Sequence, residues 1–137
     1  MKINEQSGLT LVEVLFAAAL LVVIIVSVAK ISQNSSSLTA LAQSKMVAAQ
    51  DAEKVMEEVR RVANTTGLSG TNSVTDASYW TTWIASQAFT TLPSESVNVT
   101  FPSGTNENPL SVLVQVSWSE KNSTKTYQLY NLVTQRF

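Results

Sequence analysis

The chain has 137 residues, a formal net charge of −1, and an apolar share of 45% that is concentrated in one part of the sequence. It contains no cysteine and no histidine, which excludes disulfides, thiolate chemistry and imidazole as a metal ligand or general base. We therefore expect no enzyme active site, no metal and no cofactor. The sequence also lacks the excess of basic residues that is typical of nucleic-acid-binding proteins.

The first predicted element is an apolar helix that follows a short polar leader. The leader covers residues 1–8, and the apolar run covers residues 9–29, interrupted only by Thr10, Glu13 and Ser27. As a helix, a run of this length spans about 30 Å, enough to cross the hydrocarbon core of a bilayer. The run therefore predicts a transmembrane helix.

Glu13 is the residue of this run that needs an explanation. An ionised side chain in a spanning helix costs a few kcal/mol near the centre and less near the end, so such residues usually have a partner. The nearest basic residues in the sequence, Lys2 and Lys30, are out of reach. A secretory signal peptide cleaved after Ala29 and a plain signal anchor are alternatives, but neither accounts for Glu13. Its partner must come from another chain or from processing.

Residues 8–15, with the sequence GLTLVEVL, resemble the cleavage and methylation signature of type IV prepilins and pseudopilins. The resemblance implies that a prepilin peptidase cuts between Gly8 and Leu9, and that the new amino terminus at Leu9 is N-methylated. It also implies that Glu13 forms an assembly salt bridge with the amino terminus of a neighbouring subunit. The family usually begins its mature chain with phenylalanine; leucine is apolar and similar in bulk, so we still expect processing.

An amphipathic continuation of the helix is predicted over residues 30–63, which contain no proline or glycine. Residues 34–37 are poor helix formers and form a potential weak point. Glu57 and Arg61 stand four residues apart in the favourable order for a pair, and residues 64–67 should end the helix. The apolar stripe consists of Leu38, Leu41, Ala48, Ala52, Val55, Val59 and Val62.

The remaining residues, 64–137, are predicted to form a β-rich head. After a loop, Trp80 and Trp83 lie at helix-like spacing, with Asp76 or Ser78 as the cap. These aromatic side chains either pack on the sheet, which is the commoner outcome, or form a patch that binds a partner.

Three strands are predicted in the head from the alternation of apolar and polar residues. They cover residues 97–101, 112–118 and 124–133, and residues 119–122 form the turn between the last two. The predicted fold class is therefore α+β and pilin-like: a long N-terminal helix packed against a small antiparallel sheet.

The resemblance also implies a function. The chain is expected to be a structural minor subunit of a type IV pilus or pseudopilus, because the helix-breaking residues and the C-terminal disulfide frequent in major pilins are absent. Expected partners are other pilin or pseudopilin subunits, the prepilin peptidase and the inner-membrane assembly platform. The expected location is the inner or cytoplasmic membrane, with the head outside the cytoplasm, and then the filament. The alternative is a membrane-anchored protein with an uncleaved anchor whose head binds a glycan or a secreted substrate.

Overall fold

The computed structural model describes residues 10–135, and the fold is α+β as predicted. The described residues form two helices and one three-stranded antiparallel sheet. The elements are α1 (Leu11–Thr65), α2 (Ala77–Gln87), β1 (Ser96–Thr100), β2 (Leu110–Glu120) and β3 (Ser123–Val133). The chain divides into two compact units, Met1–Leu41 and Ala42–Phe137, so α1 contributes residues to both.

Helix α1 continues through residues 34–37 without a break. Its hydroxyl groups are satisfied by the helix itself. The Ser36 hydroxyl donates to the Ser32 carbonyl at 3.1 Å, and the Thr39 hydroxyl donates to the Ser35 carbonyl at 3.0 Å. These bonds to the preceding turn let serine and threonine stay helical where their propensity alone is poor.

The end of α1 lies where the sequence predicts it. The amides of Thr66 and Gly67 both donate to the Val62 carbonyl, at 2.8 and 3.1 Å. Gly67 has a φ of 93°, a conformation that glycine adopts at little cost and that ends many helices.

The second unit, Ala42–Phe137, contains the hydrophobic core. One face of α1 supplies small and β-branched side chains, and β2 supplies every second residue. Half-buried side chains of β1, β3 and α2 pack around them. The fully buried apolar side chains of α1 and β2 are Ala48, Ala52, Val55, Met56, Val59, Val62, Leu110, Val112, Val114, Val116 and Trp118.

The sheet has the strand order β1-β2-β3. Val114 of β2 pairs with Val99 on one side and with Leu129 on the other, so apolar residues are adjacent across the inner face. The turn between β2 and β3 is shorter than the predicted residues 119–122, because β2 continues to Glu120. Only Lys121 and Asn122 form the turn, at φ values of 48° and 61°, as two-residue hairpins require.

Helix α2 is attached to α1 by a three-residue cluster. Arg61 donates to both carboxylate oxygens of Glu58, at 2.7 and 2.5 Å, and to the Tyr79 hydroxyl at 3.0 Å. The Tyr79 hydroxyl donates to Glu58. Arg61 therefore pairs with Glu58, and not with Glu57 as the four-residue spacing predicts, because Tyr79 of α2 approaches the Glu58 side of the helix.

Candidate functional site

The part of α1 that lies in the first unit exposes its apolar side chains on every side. Leu11 is 79% exposed, Phe16 69% and Ile24 61%. The helix is long and apolar enough to cross a membrane, and an apolar surface around the whole circumference is typical of a helix that faces lipid or other helices. We take this segment, with Glu13 at its start, as the candidate functional site.

Polar groups within the apolar segment are satisfied locally. The Ser27 hydroxyl donates to the Val23 carbonyl at 2.7 Å, so this side chain needs no partner outside the helix. In a bilayer an unsatisfied hydroxyl would be costly. Ser27 is therefore compatible with a spanning helix.

Thr10 and Glu13 together form the start of α1. The Glu13 amide donates to the Thr10 carbonyl at 3.0 Å and to the Thr10 hydroxyl at 3.4 Å. Thr10 thus caps the helix, and Glu13 lies in the first turn, where the helix dipole favours a negative charge. The sequence analysis missed the cap, although a threonine three residues before a glutamate is a recognisable capping signal.

The Glu13 carboxylate has no hydrogen-bond or ion-pair partner within residues 10–135. Helix capping uses its amide and the field of the helix, which leaves the carboxylate oxygens available to a group from elsewhere. Gly8 and Leu9, where cleavage and methylation are predicted, lie outside the described residues. The predicted salt bridge of Glu13 with an amino terminus therefore stays a prediction.

Trp80 is part of the core. Its side chain is 4% exposed, and its indole N–H donates to the Val74 carbonyl at 2.6 Å. Asp76 caps α2 as the sequence predicts, accepting from the amides of Ser78 and Tyr79 at 3.0 and 3.4 Å. Trp80 is thus held in place by packing and by a buried hydrogen bond, with little surface left for a partner.

Trp83 differs from Trp80 because it stays half-buried at the surface of the second unit. Its ring lies 6.0 Å from Trp80 in an edge-to-face arrangement and 6.2 Å from Phe89. The Lys54 amine lies 5.3 Å from the centre of the Phe89 ring, a favourable cation–π distance. Of the two predicted partner-binding aromatics, Trp83 alone presents surface.

The Glu58–Arg61–Tyr79 cluster sets the main electrostatic features near α2. The Arg61 guanidinium lowers the pKa of Glu58, with a further contribution from the Tyr79 hydroxyl. Burial raises the pKa of Tyr79, and the Glu58 carboxylate raises it further. Tyr79 therefore stays protonated and donates to Glu58, so the cluster links the two helices.

A pair of carboxyl groups, Asp51 of α1 and Glu95 of the loop before β1, lies in the second unit. Burial raises the pKa of Glu95, and the neighbouring carboxyl of Asp51 raises it further. The Leu92 amide, which donates to Glu95 at 3.0 Å, lowers this pKa and offsets part of the rise. One oxygen of each carboxyl group is buried without a hydrogen-bond partner in the described part of the chain. Two carboxylates in this position repel each other when both are ionised.

No family model matches the chain, and neither does any curated protein or solved structure. Within residues 10–135 no group of three or more acidic side chains is placed to hold a metal ion. The apolar half of α1, Glu13 and the surface of the second unit are therefore the features from which a function has to be argued.

Proposed function

We propose that the chain is a structural minor subunit of a type IV pilus or pseudopilus. Before assembly, residues 9–29 hold it in the inner or cytoplasmic membrane, with the second unit outside the cytoplasm. After cleavage it joins a filament through the apolar half of α1. The observation that carries the proposal is Glu13, a carboxylate without a partner in residues 10–135, at the start of a helix whose apolar side chains are exposed all round.

Processing supplies the missing cation. Hydrolysis of the Gly8–Leu9 peptide bond leaves an α-amino group on Leu9, and this group has an ordinary pKa of about 8, so it is largely protonated at neutral pH. N-methylation leaves an amine that still carries the positive charge. An ion pair between this group and Glu13 of a neighbouring subunit offsets the cost of placing each charge in an apolar helix bundle.

The position of Glu13 serves two purposes in this proposal. The helix dipole and the Thr10 cap stabilise the start of α1 within one chain, while the carboxylate sets the axial position of the neighbouring chain. A polar group in an otherwise apolar contact fixes register because every other register leaves it unpaired. The proposal also includes the partners that the sequence resemblance implies: the prepilin peptidase, other pilin-like subunits and an inner-membrane assembly platform.

A membrane-anchored binding protein with an uncleaved anchor is the competing proposal. One observation favours it: Trp83 and Tyr79 line a shallow cavity of about 330 Å³ together with four small polar side chains. Aromatic rings beside hydroxyl and amide groups suit a glycan or a secreted substrate. The burial of Trp80 removes the second ring of the predicted stacking surface, and Glu13 stays without explanation in this reading, so we prefer the filament subunit.

The test separates the two purposes of Glu13. Glu13→Ala should be cleaved and inserted in the membrane but incorporated poorly into filaments, because the neighbour's amino terminus loses its partner. Thr10→Ala removes the cap hydroxyl and keeps the carboxylate, so it should assemble far better than Glu13→Ala. Incorporation is measured by immunoblotting of sheared filament fractions against the membrane pool. Equal incorporation of Glu13→Ala and the unmodified chain would contradict the pairing.

The amino terminus of the native protein decides between the two proposals. Mass spectrometry of the membrane-derived protein should show a methylated Leu9 start. An unprocessed Met1 start would favour the anchored binding protein, and a start after Ala29 would show secretion.

A further inference from the structure

The two edge strands of the sheet differ in what lies beside them. Beside the β1 edge, α2 contributes Trp80 and Ile84 to a cavity that Val97 and Val99 also line. Strand β3 is the opposite edge, and no backbone hydrogen bond within residues 10–135 joins its outer side to another segment. An edge strand of this kind presents a row of free N–H and C=O groups to a partner.

Two neighbouring cavities form a trough between this free edge and α1. It consists of a cavity of about 690 Å³ near Leu129 and a second of about 230 Å³ near Leu132, and Arg60 lines both. Met56 of α1 and Leu129 of β3 form an apolar part of the lining. We call it the α1–β3 trough; its walls are a helix and a strand edge, so it has the shape of a slot for one extended chain.

The charges of the trough identify the chemistry of its occupant. Glu53, Glu57 and Arg60 line it, and none of these side chains has a hydrogen-bond or ion-pair partner within residues 10–135. Arg61, which also lines the trough, is engaged with Glu58. The free groups are therefore two carboxylates and one guanidinium, an acidic excess that favours a basic side chain.

The outer face of β3 adds a second contact. Tyr130 is 56% exposed and lies on the face of the sheet opposite Leu129. Leu132, near the end of β3, is 55% exposed and also lines the second cavity. A strand added to β3 would place alternate side chains on these two faces. One set would enter the trough beside Glu53 and Glu57, and the other would lie beside Tyr130.

We propose that the α1–β3 trough binds an extended segment of a partner protein by β-strand addition to β3, and that this segment carries lysine or arginine opposite Glu53 and Glu57. Backbone hydrogen bonds to the β3 edge supply affinity, and the alternate side chains supply selectivity. This surface lies within the second unit and uses none of the assembly residues at the start of α1, so it stands or fails independently of the filament proposal.

The experiment uses the full chain in detergent and two synthetic peptides. The first is an eight-residue peptide of alternating valine and threonine with two lysines at alternate positions, and the second has glutamates in place of the lysines. Fluorescence anisotropy should show the basic peptide binding about tenfold more tightly than its acidic twin, since like charges across an interface are penalised. Hydrogen exchange should show new protection at alternate β3 amides when the basic peptide is bound.

Charge reversal completes the test. The double variant E53K/E57K should bind the acidic peptide better than the basic one, whereas E107K, a reversal at an exposed loop residue outside the trough, should keep the original preference. Failure of the basic peptide to bind would overturn the proposal. So would binding without protection at β3, or a preference that E53K/E57K leaves unchanged. Concentration-dependent protection of β3 without peptide would assign the edge to a second copy of this chain and would also overturn it.

Discussion

The two halves of α1 use the same residue types for opposite purposes. In the first unit Val22 and Val26 are 58% and 53% exposed, while in the second unit Val55 and Val59 are fully buried. The first half is apolar on all sides, whereas the second half has one apolar stripe and charged residues elsewhere. The distribution of valine around the helix, and not its abundance, decides which surroundings each half requires.

The two halves also differ in how their polar residues are satisfied. In the apolar run of residues 9–29, Ser27 bonds to its own helix, and Glu13 is the one charged residue, without a partner in residues 10–135. In the second half, Glu58 and Arg61 form a cluster with Tyr79 of another element. Within residues 10–135 the charge of Glu13 is therefore left unpaired, whereas Glu58 and Arg61 of the second half are paired within their own unit.

The largest expected effect follows from placing a charge in the second half. Val59→Asp puts a carboxylate at a fully buried position of the core, where an unpaired charge costs several kcal/mol, a large part of the roughly 5–15 kcal/mol that stabilises a domain. The second unit should unfold, with loss of near-ultraviolet circular dichroism and rapid proteolysis, while membrane retention stays unchanged. If the second unit of this variant stayed folded, the burial of Val59 would not distinguish the second half of α1 from the exposed first half.

The matched substitution in the first half should have the opposite consequence. Val22→Asp adds a charge where the side chain is 58% exposed and touches no core, so the second unit should keep its circular dichroism and protease resistance. Membrane insertion should weaken by about 2.5–3.5 kcal/mol, the cost of an aspartate near the centre of a spanning helix. Carbonate extraction of membranes measures this, with Val22→Leu as the control that should remain fully retained.

The sequence predicts the features that depend on local periodicity. The spacing of Ala48, Ala52 and Val59 predicts their burial, and the alternation of β2 predicts that Val112 and Val114 face the core. Both are confirmed, because each pattern extends over many residues and one face must be covered. The same stripe includes Leu38, which is 66% exposed: periodicity shows which face is apolar but not how far along the helix that face is covered.

Features that depend on contacts between distant residues are beyond such patterns. Glu58 and Tyr79 are separated by 21 positions, so the spacing within α1 predicts the wrong acidic partner for Arg61. The two-residue turn at Lys121 and Asn122 lacks the glycine that usually identifies it. The α1–β3 trough depends on which strand edge lies beside the helix, and no local pattern contains that information.

The smallest expected effect concerns the pH dependence of the second unit. Glu58 has a lowered pKa, so its contribution to stability is present above the ordinary carboxyl pKa and is lost as the pH falls through its folded-state value. Glu95 has a raised pKa, so its contribution has the opposite sign. The contribution of Glu95 is fully present below the ordinary carboxyl pKa and is lost as the pH rises through its folded-state value, where Glu95 ionises in a partly buried position beside Asp51.

Glu95→Gln isolates this second contribution. The amide keeps an acceptor for the Leu92 N–H and adds a donor beside Asp51, whose buried oxygen has no donor in the described residues. Near about pH 4, where carboxyl groups of ordinary pKa are partly protonated, the variant and the unmodified chain should melt together. At neutral pH the variant should be more stable by at most about 1 kcal/mol, a shift of roughly 4–8 °C for a unit of this size. Thermal melts followed by circular dichroism measure the difference, with Glu107→Gln as the exposed control. A gain in stability at low pH but not at neutral pH would contradict this prediction, because it would show that ionisation of Glu95 beside Asp51 does not destabilise the second unit.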